Sequence, residues 1–316
     1  MKAAENRLLI LAEDAEEYGE IIEQAGLQNL QVDTATDTAS VGQPLGEYNI
    51  VLGDPPLISE VLDSLEKLEW VQSGWAGVDS LCQPGFRKDY LLTGVKGIFG
   101  PLISEYIMTY LFAFERRVFT MRSNQLQRIW EPYRYRPAGE ITMGIIGLGS
   151  IGRRLAKTAK HFGIRVIGLN RSGKPCEDVE KVYTPDECSG FFKQPDYVVI
   201  TLPGTPQTRH FINAATLGMM RPSAVLMNVG RGSVINEVDL VTALKQGTIG
   251  GALLDVFEKE PLPADSPLWE MENVFVTPHN SAVSFVADVV AIFVGNYHRF
   301  LQGKSLLHEI NIEAGY

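Results

Sequence analysis

Short apolar runs alternate with amphipathic segments of helical period along most of the chain. In the first hundred residues, the apolar runs predict strands at Arg7–Leu11, Leu30–Ala35, Tyr48–Leu52 and Leu68–Gln72. The helical pattern there falls at Glu16–Ala25, which Gly26 ends, and at Leu57–Leu65. Strands that alternate with helices are typical of βαβ units, so this part of the chain is predicted to form a small α/β domain.

The same alternation resumes after residue 140. Strands are predicted at Thr142–Ile146, Arg165–Leu169, Tyr197–Leu202, Val225–Val229, Ala252–Val256 and Val274–Thr277, with helices at Ser150–His161 and Val286–Leu301. One long helix, Leu102–Leu126, is predicted to cross between two domains. The expected fold class is α/β, with two Rossmann-like or flavodoxin-like domains, parallel sheets and an interdomain cleft. The expected domains are 1–98 with 284–316, and 99–283.

Composition and charge narrow the classes of function. The chain has 316 residues and a net charge of −10, which disfavours a nucleic-acid partner. No apolar run approaches the roughly 18 residues of a membrane span, and the short N-terminal apolar stretch is interrupted too early for a signal peptide. The cysteines, Cys82, Cys176 and Cys188, are widely spaced and predict neither a metal site nor a disulfide framework. We therefore expect a cytoplasmic protein without a bound metal.

A glycine-rich turn follows the strand that ends at Ile146. Its residues are Gly147, Leu148, Gly149, Ser150, Ile151 and Gly152, and a predicted helix opens within it. In a dinucleotide-binding turn, the first glycine permits the tight bend and the second lets the backbone approach a pyrophosphate. The third lets helix and strand pack closely, while the helix N-terminus attracts the phosphates. Glycines are common, so a chance turn is the alternative, but the strand-turn-helix context favours a dinucleotide site.

The residues after the next strand bear on the choice of cofactor. NAD-binding turns usually carry an acidic residue there, whereas this chain has Asn170, Arg171 and Ser172. Arg171 and Ser172 are suited to a 2′-phosphate, which predicts a preference for NADP(H). NAD(H) use remains open if Arg171 points to solvent.

Three charged residues follow predicted strands, where ligands bind in open α/β sheets. They are Arg231, Glu260 and His279. Each has an ordinary alternative as a loop or surface residue, but together beside a nicotinamide they form a coherent reaction centre. Of the other histidines, His161 suits a helix C-terminus and His210 has no obvious acidic neighbour in the sequence, while His298 and His308 lie in the last helix and the tail.

Hydride transfer to a ketone leaves negative charge on oxygen, so an acid must supply a proton. His279 suits this role near neutral pH, and a neighbouring Glu260 would favour its protonated form. Arg231 offers a planar cation for a substrate carboxylate. This combination indicates 2-keto and 2-hydroxy acids as substrates.

These residues lie within longer stretches that resemble the D-isomer-specific 2-hydroxyacid dehydrogenases. The matching stretches are Gly147–Gly152, Leu202–Thr208, Met220–Gly232, Leu254–Pro263 and Thr277–His279. The resemblance implies that Arg231 binds substrate, Glu260 tunes the histidine and His279 is the acid/base. It also implies that Asp255 lies near the nicotinamide, and that the cofactor groove includes Leu202, Pro203, Thr208, Val229 and Gly230.

The resemblance further implies a substrate loop at Ser73–Asp79. The backbone N–H groups of Ala76 and Gly77 would receive the substrate carboxylate, and Trp75 would wall the pocket unless it is a core or hinge residue. A homodimer through the cofactor domain is implied as well. Asn170–Ser172 makes the chain look like the glyoxylate/hydroxypyruvate reductase branch. The alternatives are a formate or phosphite dehydrogenase on the same scaffold, and a nicotinamide-sensing binding protein similar to the corepressors of this superfamily.

Overall fold

A computed structural model describes residues 6–42 and 44–313 of the chain. The chain divides into two compact units, of which the first contains Met1–Ile98 and Ser284–Tyr316 and the second contains Phe99–Val283. The roles expected from the sequence, which are substrate binding (the catalytic domain) for the first unit and dinucleotide binding (a Rossmann domain) for the second, stay predictions. Within the described residues, no helix is both long enough and apolar enough to cross a membrane.

The first unit is built on a five-stranded parallel sheet with the order β2-β1-β3-β4-β5. Its strands are β1 (Asn6–Leu11), β2 (Leu30–Ala35), β3 (Ile50–Gly53), β4 (Trp70–Ser73) and β5 (Leu91–Thr93). Its helices are α1 (Ala15–Gln24), α2 (Pro55–Val61) and α9 (Val286–Leu301). Strands β3 and β4 are buried along their whole length, as expected for a parallel sheet covered on both faces.

The C-terminal segment belongs to the first unit because it completes that unit's core. The Phe293 ring of α9 stacks on the buried Trp70 with 5.1 Å between ring centroids. The buried Asn296 amide donates to Gln72 Oε1 at 3.3 Å and to the Leu307 carbonyl at 3.0 Å. These polar groups are paired inside the core, which avoids the free-energy cost of burying them alone.

The second unit holds a seven-stranded parallel sheet with the order β12-β11-β10-β9-β6-β7-β8. Its strands are β6 (Thr142–Ile146), β7 (Arg165–Leu169), β8 (Lys181–Tyr183), β9 (Tyr197–Ile200), β10 (Val225–Asn228), β11 (Gly251–Leu254) and β12 (Val274–Val276). Its helices are α3 (Phe99–Glu115), α4 (Val118–Leu126), α5 (Ser150–His161), α6 (Cys188–Phe192), α7 (Ala214–Leu217) and α8 (Glu237–Lys245). The strand order reverses between β6 and β9, and such a switch point is where open α/β sheets bind ligands.

The prediction of one helix over Leu102–Leu126 is wrong, because the segment forms two helices with a break at Arg117. Arg117 has a left-handed backbone with φ of +46°. The Arg116 guanidinium lies 3.9 Å from the centroid of the Tyr135 ring, and that of Arg117 lies 5.2 Å from the centroid of the Tyr133 ring. Helix α4 has no buried residue, so no core contact holds it in line with α3.

Candidate active site

Each of the three glycines in the turn after β6 has a different steric environment. Gly147 has φ of +101°, a backbone conformation that residues other than glycine rarely adopt. A Cβ on Gly152 would lie 2.0 Å from the Gly147 carbonyl oxygen, so only glycine permits this packing of α5 on the turn. A Cβ on Gly149 would meet no protein atom within 4 Å, which leaves open space beside the N-terminus of α5. The turn therefore fits a pyrophosphate, with Ser150 and Ile151 as the first residues of the helix.

The loop after β7 is organised by the side chain of Asn170. Its Oδ1 accepts the backbone N–H groups of Ser172 at 3.0 Å and Gly173 at 2.7 Å. Arg171 and Ser172 are exposed at the carboxyl end of the strand, and the exposed Lys174 adds a second cation to the same turn. Lys174 was not among the residues predicted from the sequence, although its position three residues after Arg171 is visible there. Contacts of Asn170, Arg171 and Ser172 with a cofactor stay predictions.

The loops after β9 and β10 lie against each other. A Cβ on Gly230 would lie 2.5 Å from the Leu202 carbonyl oxygen. The Thr208 hydroxyl donates to the Pro203 carbonyl at 2.7 Å and accepts the Thr205 N–H at 2.9 Å. The groove residues implied by the family resemblance, including the buried Val229, thus lie on adjacent loops at the switch point.

His279 and Glu260 form a direct pair. Glu260 Oε2 lies 2.7 Å from His279 Nδ1, and Glu260 Oε1 accepts the Phe257 N–H at 2.8 Å. The hydrogen bond that His279 donates to Glu260 and the negative charge of Glu260 raise the pKa of His279, against burial and the positive charge of Arg231. Burial alone would raise the pKa of Glu260, but the two hydrogen bonds and the charges of His279 and Arg231 lower it. The arrangement favours the imidazolium form of His279, while the roles of His279 as the acid and of Glu260 as its partner stay predictions.

The backbone around His279 is held by a buried carboxylate. Asp255 is fully buried and accepts three hydrogen bonds, from the Thr277 hydroxyl at 2.6 Å and from the backbone N–H groups of Asn280 at 2.9 Å and Ser281 at 3.0 Å. His279 itself has a left-handed φ of +51°. Asp255 thus fixes the chain on both sides of the histidine, which supports a conformation that costs free energy.

Tyr106 of α3 extends this network and was not among the residues predicted from the sequence. Its hydroxyl lies 2.6 Å from Thr277 Oγ1. Because Thr277 gives its own hydroxyl proton to Asp255, Tyr106 is the donor to Thr277. No sequence signal marked Tyr106, since a tyrosine on an apolar helix face is ordinary.

Arg231 lies beside the His279 and Glu260 pair. Its Nη1 donates to the Gly230 carbonyl at 2.8 Å, and its charge acts on both members of the pair. A Cβ on Gly232 would lie 1.8 Å from the carbonyl carbon of Phe257, so the loops after β10 and β11 are in contact. The structure therefore brings the three strand-end residues together, while their catalytic roles stay predictions.

The predicted substrate loop follows β4 in the first unit. The Ser73 hydroxyl accepts the Trp75 N–H at 3.0 Å and donates to the Trp75 carbonyl at 2.8 Å, which makes a compact turn before Ala76 and Gly77. Trp75 is 44% exposed, so it is not a core tryptophan. Its proposed contact with a substrate stays a prediction.

His210, which has no obvious acidic neighbour in the sequence, gains one in the fold. His210 Nε2 hydrogen-bonds Glu258 Oε1, a residue distant in sequence that the loops after β9 and β11 bring close. Within the described ranges, no group of three or more His, Cys, Asp or Glu residues is placed to hold a metal ion. The cysteines are free thiols.

Comparison with known proteins identifies the family. Residues 108–281 match the model of the D-isomer specific 2-hydroxyacid dehydrogenase, NAD binding domain. A glyoxylate/hydroxypyruvate reductase A from Citrobacter koseri is 31% identical over 269 residues, which cover 83% of this chain and 85% of the relative.

Two solved structures extend the likeness over nearly the whole chain. A D-isomer specific 2-hydroxyacid dehydrogenase family protein from Aeromonas salmonicida has 42% identity and a TM-score of 0.94, covering 98% of this chain and all of that one (100%). An NADPH-dependent glyoxylate/hydroxypyruvate reductase from Sinorhizobium meliloti, in complex with NADP and sulfate, has 29% identity and a TM-score of 0.87 at 98% and 100% coverage. With two parallel α/β units, a dinucleotide turn and the family's motifs in order, the chain belongs to the D-isomer-specific 2-hydroxyacid dehydrogenases.

Proposed function

We propose that this protein uses NADPH to reduce small 2-keto acids, of the size of glyoxylate and hydroxypyruvate, to 2-hydroxy acids with D configuration where a stereocentre forms. The observation that carries the proposal is the paired His279 and Glu260 beside Arg231, at the carboxyl-end edge of the parallel sheet from which the dinucleotide turn also leaves. The Citrobacter and Sinorhizobium relatives, which are named as glyoxylate/hydroxypyruvate reductases, support this substrate class.

The reduction adds a hydride to the carbonyl carbon and a proton to its oxygen. When bound, the dinucleotide would supply the hydride from its nicotinamide, and the turn of Gly147, Gly149 and Gly152 would hold its pyrophosphate. His279 Nε2 donates the proton, after which the neutral imidazole keeps its Nδ1–H bond to Glu260. Glu260 stabilises the cationic form before transfer and fixes the orientation of the ring.

Binding and polarisation of the substrate fall to cationic and backbone donors. Arg231 presents a planar guanidinium to the substrate carboxylate and the adjacent carbonyl oxygen. The N–H groups of Ala76 and Gly77 are proposed as further carboxylate donors, and Trp75 as the residue that limits the substrate side chain. Asp255 holds the loop that carries His279. From the family resemblance we also propose that Asp255 lies near the nicotinamide amide.

A substrate panel tests the proposal. Purified protein with NADPH is mixed with glyoxylate, hydroxypyruvate, pyruvate and bulkier 2-keto acids, and the absorbance of the reduced nicotinamide is followed. We expect the highest kcat/KM with glyoxylate or hydroxypyruvate. No turnover with any of them would favour a nicotinamide-sensing binding protein, and oxidation of formate or phosphite would favour the other dehydrogenase class.

Replacing Glu260 with glutamine is expected to move the alkaline limb of the pH profile of kcat/KM for keto acid reduction to lower pH. His279 must be protonated to act as the acid, and Glu260 raises its pKa. Neutral glutamine removes the carboxylate charge, so the imidazolium is lost earlier as pH rises. The measurement is kcat/KM against pH for wild type and Glu260→Gln. An alkaline limb at the same pH in both proteins would contradict the role of Glu260.

We propose a preference for NADPH over NADH, supported by the exposed Arg171 and Ser172 and the absence of a carboxylate in the segment Asn170–Ser172 after β7. For Arg171→Ala we expect kcat/KM with NADPH to fall by roughly 10–100-fold, as for loss of a hydrogen bond to a charged group. The value with NADH should stay near that of wild type. Arg165→Ala, at the opposite end of β7, serves as the matched control. Equal losses with both cofactors, or a wild type that prefers NADH, would contradict this assignment.

We also propose a cytoplasmic homodimer that associates through the second unit. Helix α4 and the chain after it expose apolar side chains: Val118, Phe119, Met121, Leu126, Ile129 and Trp130, the last 96% exposed. Large apolar side chains exposed along one stretch of chain are typical of an interface. Sedimentation equilibrium distinguishes a dimer from a monomer, and cell fractionation tests the location.

A further inference from the structure

A second histidine–carboxylate pair lies close in sequence and space to the catalytic one. His210 follows β9 and hydrogen-bonds Glu258, which is two residues before Glu260 in the loop after β11. Both side chains are partly buried, with 35% and 30% of their surfaces exposed. His210 has a left-handed φ of +51°, the same value as His279. A non-glycine residue held in this conformation costs free energy and needs support from its surroundings.

The chain between Phe257 and Glu260 forms a short turn that is held at several points. The Glu258 N–H donates to Glu237 Oε1 at 2.6 Å, and the Phe257 N–H donates to Glu260 Oε1 at 2.8 Å. Gly232 packs against the Phe257–Glu258 peptide so closely that a Cβ there would overlap it. His210 is the side chain that attaches the far end of Glu258 to a different loop.

This turn gathers three carboxylates, from Glu237, Glu258 and Glu260. Burial raises the pKa of Glu237, as do the negative charges of Glu258 and Glu260. Like charges at short range repel each other unless a cation or a donor compensates them. His279 and Arg231 compensate the negative charge of Glu260. The Glu258 carboxylate is hydrogen-bonded by His210. Without His210, this repulsion would favour a displaced turn.

We propose that His210 and Glu258 are positioning residues for the reaction: their pair fixes the Phe257–Glu260 turn and so holds Glu260 against His279. Neither residue is assigned contact with substrate or cofactor. The kinetic part of this inference rests on the proposed function, whereas the placement of Glu260 against His279 can be observed without any substrate.

The test compares wild type with His210→Ala, Glu258→Ala, the double variant and the conservative Glu258→Gln, which keeps an acceptor oxygen for His210. Proton NMR of the ligand-free protein follows the titration of His279, assigned with a His279→Asn variant. We expect the pKa of His279 to fall in both alanine variants and kcat for keto acid reduction to fall about tenfold, with little change in KM for NADPH. The double variant should resemble either single one, and Glu258→Gln should recover most of the loss.

Lys160→Ala is the control, because it removes a surface ion pair with Asp178 in the same unit, 3.0 Å between the charged atoms. If the alanine variants lower the melting temperature but leave the His279 titration and kcat as in wild type, the pair is only structural and the proposal is overturned. If the single losses add in the double variant, the two residues do not act as a pair and the proposal is again overturned. If wild type turns over no keto acid, the proposed function fails, while the NMR titration still decides the positioning claim.

Discussion

His279→Ala is expected to lower kcat for reduction of glyoxylate by about 10²–10⁴-fold, the usual contribution of a general acid. The reason is the paired geometry, in which Glu260 holds Nδ1 at 2.7 Å and raises the pKa of the ring, which extends the protonated donor form to higher pH. KM for NADPH should change much less than kcat. Steady-state kinetics at several pH values measure both, and the alkaline limb assigned to His279 should be absent in the variant.

His298→Ala is the matched control for this prediction, since His298 lies exposed in the last turn of α9. It should retain wild-type kcat. Near-normal turnover in His279→Ala would remove the histidine from the role of proton donor, whatever the family resemblance implies.

Arg231→Ala is expected to lower kcat/KM for 2-keto acids by roughly 30-fold to several thousand-fold, the range for removing one partner of a desolvated charge pair. The guanidinium is placed by its bond to the Gly230 carbonyl and by the close packing of Gly232 on the neighbouring loop. Lysine keeps the charge but loses the planar fork, so Arg231→Lys should recover only part of the loss.

A substrate without a carboxylate makes this test specific. Glycolaldehyde offers the carbonyl but no carboxylate for Arg231 to bind. The kcat/KM of wild type for it should already be low, and Arg231→Ala should reduce it far less than the value for hydroxypyruvate. An equal loss with both substrates would show that Arg231 acts through the structure of the site and not through the carboxylate.

The sequence predicted the parallel α/β fold because most core strands are buried on both faces and appear as continuous apolar runs. The three-residue strands β5 and β8 escaped prediction, since their apolar runs are too short to stand out. The break at Arg117 also escaped, because it depends on stacking with Tyr133 and Tyr135 and on the lack of a core beneath α4. These causes lie in tertiary contacts that local periodicity does not record.

Within the candidate site, the strand-end rule selected residues that the structure brings together, because parallel strands point their carboxyl ends toward one edge. The rule says nothing about what supports those residues. Asp255 binds the loop on both sides of His279, and His210 meets Glu258 across 48 residues of sequence. Both arrangements follow from loop packing, so only the folded chain makes them visible.

The most direct test of the central claim uses NADPH that carries deuterium at the transferable position of the nicotinamide. The enzyme is given hydroxypyruvate, and the product is examined by mass spectrometry and chiral chromatography. Direct hydride transfer to the carbonyl carbon predicts D-glycerate with one deuterium on C2. A product without deuterium on C2, the L isomer, or no product at all would contradict it.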